Sequence, residues 1–163
     1  MDDLVSGLEE ELMAGGGRWI ADFNESERDY RLEDVTFDAC VRGDTRIKEF
    51  GLFSRAMSSF LLPGYHVACY VTLRGTLTQD FLKKCLHIIR RKNETDGVTW
   101  SWLVLIVKET PRDEVVRLVE SFSDKDLGLV LYDSSSASLS SSQNRLGERM
   151  RSYVKSWSKK SRH

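Results

Sequence analysis

Three apolar runs separated by two stretches of helical period constrain this chain more than any other feature. Residues 65–73 (YHVACYVTL), 100–107 (WSWLVLIV) and 127–132 (LGLVLY) are nearly continuous β-branched, aromatic and aliphatic sequence. Strands covered on both faces read this way. Between the first two, Thr78 can cap a helix carrying Phe81, Leu82, Cys85, Leu86 and Ile89 on one side. Between the second and third, Thr110-Pro111-Arg112-Asp113-Glu114 offers a cap hydroxyl, a proline at the first helical position and acids in the first turn. Val115, Val116, Val119 and Phe122 then supply the apolar stripe. Strands linked by helices of this length run parallel through right-handed crossovers. The expectation is an α/β fold: a mixed sheet with helices on both faces, an N-terminal hairpin, β-α-β-α-β and a C-terminal helix.

The hairpin is read from Val35, Phe37, Ala39 and Val41, which alternate with Thr36, Asp38, Cys40 and Arg42. Gly43-Asp44 is the expected turn, residues 46–53 the returning strand, and residues 55–62 a helix closed by Pro63-Gly64. The last helix begins near Asn144, with Leu146, Met150, Tyr153 and Trp157 on one face. One domain is expected over residues 1–163, with a serine-rich loop or edge hairpin at 134–144 and a flexible basic tail at 158–163.

Charge excludes little in total but is unevenly placed. Against 24 Lys and Arg stand 25 Asp and Glu, a net charge of −1. Yet the first 17 residues hold five acids and no base, while residues 145–163 hold seven Lys or Arg and one acid, Glu148. The two ends are expected either to attract each other or to leave the basic end facing a partner. No apolar run reaches the roughly 20 residues of a membrane span. The acidic start is unlike a signal peptide, and three cysteines in apolar company read as reduced core residues. A cytoplasmic chain without membrane attachment is therefore expected. There is no phosphate loop, dinucleotide fingerprint, nucleophile elbow or Cys/His metal spacing. His66 and His87 read as structural.

Three constellations remain. First, Asp38 in one strand and Glu49 eleven residues later could share a divalent cation through hard oxygen ligands. Both also fit the solvent face of a hairpin. An acidic helix, an Asp strand, a Glu strand, a helix and alternating strands and helices together resemble the restriction-endonuclease-like (PD-(D/E)XK) superfamily. That resemblance implies that Asp38 and Glu49 are catalytic metal ligands for Mg or Mn, with Glu9, Glu10 or Glu11 adding a helix carboxylate. It also implies a lysine two residues after the Glu. Gly51 stands there instead, Lys48 points to the other face, and Arg55 is the nearest substitute. The family pattern therefore implies a degenerate nuclease-like domain that binds DNA or RNA, or, if active, a metal-dependent phosphodiesterase.

Second, the carboxyl ends of the parallel strands place Arg74, Lys108 and Asp133 where α/β folds bind ligands. A small-ligand or protein-interaction module, self-associating as a homodimer and without catalysis, is the alternative this supports. Third, Arg145, Arg149, Arg151, Lys155 and Lys159 lie opposite the apolar stripe of the last helix and suit phosphate contacts. Arg90-Arg91-Lys92 could extend that surface. Trp100 and Trp102 share one strand face, as core or as a stacking platform.

Overall fold

The computed structural model describes residues 3–14, 20–45 and 65–161. In chain order the elements are α1 (Asp3–Met13), β1 (Asp22–Leu32), β2 (Val35–Thr45), β3 (Tyr65–Arg74), α2 (Gln79–Asp96), β4 (Val98–Val107), α3 (Asp113–Ser121), β5 (Leu127–Asp133), β6 (Ser138–Ser141) and α4 (Arg145–Lys160). All six strands join one mixed sheet in the order β1-β2-β3-β4-β5-β6. β1, β2 and β3 form an antiparallel meander, β3, β4 and β5 are parallel, and β6 returns antiparallel to β5. The α/β class and the β-α-β-α-β series are as the apolar runs require.

Each helix covers the face that its stripe dictates. Leu82, Cys85 and Ile89 of α2 and Val115 and Val119 of α3 pack with Phe37, Tyr70, Leu103, Leu105 and Leu129 on one side of the sheet. Val5, Leu8 and Leu12 of α1 and Met150, Val154 and Trp157 of α4 pack with Val41, Cys69, Trp102, Val104 and Val130 on the other. β4 and β5 are buried between the two layers, and residues 101–107 and 127–133 have no exposed member. This explains their unbroken apolar runs.

The N-terminal hairpin differs from the expectation. Gly43-Asp44 is not a turn: β2 runs through it, and its hairpin partner is β1, joined through Glu33-Asp34. Gly43 is required by close approach, since a Cβ there would lie 1.9 Å from the Asp22 carbonyl oxygen. Nor do the four apolar residues of β2 share a face. Val35 and Phe37 pack toward α2, whereas Ala39 and Val41 pack toward α1. The phase changes at Asp38, opposite Asp29, whose φ of 49° puts it in the left-handed region that Asp tolerates. The returning strand expected at 46–53 and the helix expected at 55–62 lie outside the described residues.

Smaller corrections follow the same logic. α3 starts at Asp113 with Arg112 as its N-cap and no side-chain cap, so Thr110 and Pro111 precede the helix. The serine-rich segment, by contrast, is the edge hairpin that the sequence offers: it turns at 134–137 and pairs as β6. α4 extends to Lys160 with Ser158 buried, so residues 158–160 are helix rather than tail. Among the described residues no helix is long and apolar enough to cross a membrane.

Candidate functional site

The carboxylate pair is not assembled by the described residues. Asp38 sits one residue beyond the last β2–β3 register pair, Ala39 with Val71, and its Oδ2 accepts the Leu73 backbone N–H at 2.8 Å. The carboxylate thus takes the place of a ladder bond that the phase change removes. Both edges of β2 are occupied, by β1 and β3, and β3 contains no Asp or Glu. Glu49, Gly51 and Arg55 lie outside the described residues. Among those described, no three His, Cys, Asp or Glu side chains converge as a cation site requires. The described residues by themselves therefore form no site for Mg or Mn.

The second constellation is brought together, but its acid is already engaged. Arg74, Lys108 and Asp133 end adjacent parallel strands, with Arg74 in register with Val107 and Val107 with Asp133. The Lys108 N–H donates to the Arg74 carbonyl at 3.0 Å. Arg74 stacks its guanidinium on the Phe81 ring, 4.4 Å from the centroid. Asp133 is only 1 % exposed. Its carboxylate accepts the Ser135 N–H and hydroxyl at 2.9 and 2.6 Å, the Ser136 hydroxyl at 2.7 Å and the Ser136 N–H at 3.3 Å. Burial pushes this carboxyl up, but the serine donors outweigh it and bring it to about 2. Asp133 is the organiser of the β5–β6 turn. At the helix starts nearby, Thr78 already accepts the Phe81 N–H at 3.2 Å.

The third constellation is the most fully built. Asn144 caps α4 by accepting the Gly147 N–H at 2.7 Å, while its amide donates to the Asp124 and Leu127 carbonyls at 2.5 and 2.8 Å. The Trp102 indole N–H donates to the Leu146 carbonyl at 3.0 Å. These bonds fix where α4 starts and which way it faces. Gly147, Met150, Val154, Trp157 and Ser158 are then buried, and at about 100° per residue Arg145, Arg149, Arg151, Lys155 and Lys159 fall on the exposed half.

These five cations form no ion pair with any described carboxylate. Elsewhere the pattern is the opposite. Arg28 pairs with Glu9, Arg42 with Glu27 at 2.7 Å and Lys84 with Asp34. The Arg90-Arg91-Lys92 cluster is likewise taken up: Arg90 bonds Asp124 at 2.8 Å, Arg91 Glu33 at 3.1 Å and Lys92 Asp96 at 3.0 Å. It therefore adds no free positive surface. The acidic and basic ends do meet, through Lys160 and Glu11 at 2.5 Å, but that contact uses only the last turn of α4.

Trp102 is buried under α4 and offers no stacking surface. His66 is exposed and lies 2.9 Å from Asp44. Sequence reasoning missed a recess beside α4 whose far wall comes from Glu11 and Ile20. Tyr153, at the edge of the apolar stripe, was the signal that one flank of the helix is not fully covered.

Scanned against protein-family models, curated proteins and solved structures, the chain finds no significant match in any of the three.

Proposed function

We propose that this domain binds nucleic acid through the exposed face of α4, on a restriction-endonuclease-like scaffold without a working hydrolytic centre. The single observation that carries the reading is the set of five exposed cations, unpaired among the described residues and gathered on one rigid helix, in a chain whose net charge is −1. A surface of this kind exchanges condensed counterions for phosphates, and each contact adds affinity that salt removes. Because α4 is pinned to the sheet at Asn144 and Trp102, the charges are presented in fixed register. Absence of hydrolysis is supported by Gly51 at the position where the family pattern carries lysine, while Asp38 Oδ2 serves the fold by accepting the Leu73 N–H.

The test is incubation of the chain with labelled DNA and RNA, single- and double-stranded, with and without Mn²⁺, followed by anisotropy and by gel. Binding that is independent of Mn²⁺, with the oligonucleotide intact, is the expected result. Mn²⁺-dependent cleavage lost in Asp38→Ala would restore an active nuclease. Absence of binding at low salt, together with self-association, would favour the interaction module instead.

A further inference from the structure

Along one flank of α4 runs a recess of about 640 Å³, between that helix and the wall formed by Glu11 and Ile20. Its volume falls within the roughly 300–1,000 Å³ of ligand-binding clefts. The α4 side is lined from Arg149 through Ser156 to Lys160, a rise of about 16 Å along the helix axis. The half-buried Tyr153 lines the same recess, and Trp157, only 3 % exposed, lies beneath it. Arg149 has no carboxylate partner among the described residues, and Glu11 is engaged by Lys160, so the recess carries a net charge of about +1.

We propose, on the strength of the nucleic-acid reading above, that this recess seats a single strand rather than a duplex. The strand's phosphates lie at Arg149, the recess cation without a carboxylate partner among the described residues, and one base rests against Tyr153. The argument is complementarity of both charge and shape. A duplex keeps its bases paired and stacked, so it offers phosphates but no free base face to Tyr153. A single strand can present phosphates to the cationic rim and an aromatic face to Tyr153, the combination that sequence-tolerant single-strand sites use. A second cavity, at the start of β4 and β5, lacks this chemistry. Its arginine, Arg90, is already bonded twice to Asp124, at 2.8 and 3.1 Å. DNA and RNA strands share the recognised groups, so both belong in the test.

Ser156 is exposed on the rim and bonds nothing in the core, so Ser156→Trp fills the recess without touching the packing of α4. Fluorescein-labelled 16-nucleotide oligo-dT, oligo-rU and a 16-base-pair duplex are titrated with the wild type, with Ser156→Trp and with Arg151→Ala/Lys155→Ala. Circular dichroism and thermal midpoints establish that each variant folds. Ser156→Trp is expected to weaken both single strands about 10-fold or more and the duplex less than about 2-fold, while the double variant weakens every probe that binds. If Ser156→Trp leaves single strands unaffected, or weakens duplex equally, the recess is not the single-strand seat, although nucleic-acid binding by α4 stands. If no probe binds the wild type at low salt, both readings fall together.

Discussion

Asp38 accepts the Leu73 N–H where the β2–β3 ladder gives out. Removing it leaves a partly buried amide without a partner, which costs about 1–3 kcal/mol. Asp38→Ala should therefore lower the unfolding free energy, read by urea titration, by that amount while divalent-cation affinity, read by calorimetry, stays unchanged. A lost cation site in a variant of undiminished stability would contradict this. Asp133 carries a pH signature. Its carboxyl is brought from an ordinary 3.8 to about 2, and a depressed folded pKa stabilises fully above the unfolded value. The contribution, about 2 kcal/mol, is present from pH 5 upward and fades as pH falls from about 4 toward 2. The stability gap between the wild type and Asp133→Asn should close over that range, and a gap constant with pH would refute the assignment. Sequence showed that Arg74, Lys108 and Asp133 end adjacent strands. It could not show that four serine donors occupy Asp133, because nothing in a serine run says which carboxylate its hydroxyls will turn toward.

Among the elements, those buried on both faces were legible and the edge was not. β3, β4 and β5 announce themselves because helices cover both sides of the sheet, leaving no polar alternation to confuse the reading. β1 was missed because only Phe23, Tyr30 and Leu32 of its eleven residues are buried. Its polar residues instead meet neighbours: Arg28 pairs with Glu9, and Glu27 with Arg42. Such a charged edge is how sheets avoid joining one another. Gly43 was misread as a turn because a glycine demanded by close approach and one demanded by a positive φ are the same letter. The caps were easier, since Thr78 and Asn144 act through their own side chains, as their positions suggest. The seat of α4 provides a test at this scale. A Cβ on Gly128 would come within 2.6 Å of the Gly147 backbone nitrogen, so Gly128→Ala must lift the start of α4 off β5. Overpacking of this kind costs about 1–3 kcal/mol. Faster amide exchange at the start of α4 than in β3 should accompany the loss, and uniform exchange across the molecule would show that α4 is not the element displaced.

For the whole molecule, charge is sorted between paired and unpaired surfaces. Opposite charges meet on α1, β1, β2 and α2, whereas on α4 they stand apart except at Lys160. The Lys160–Glu11 contact is exposed and contributes less than about 1 kcal/mol, so Lys160→Ala should leave the thermal midpoint nearly unchanged. The separation of acidic and basic ends was visible in the sequence. Which cations would be neutralised was legible only for Lys92, whose partner Asp96 is one helical turn on, because Arg90 and Arg91 find theirs in connections 34 and 58 residues away in the chain. On the proposed reading, the unpaired face of α4 holds a nucleic-acid backbone. The most direct test is the salt dependence of affinity for the wild type and for a variant with Arg145, Arg149, Arg151 and Lys155 all changed to Ala. The logarithm of the wild-type association constant is expected to fall against that of salt with a slope of about −3.5 to −4.5, shrinking to about −1 in the variant, which keeps Lys159. Equal slopes and affinities for the two proteins would contradict it.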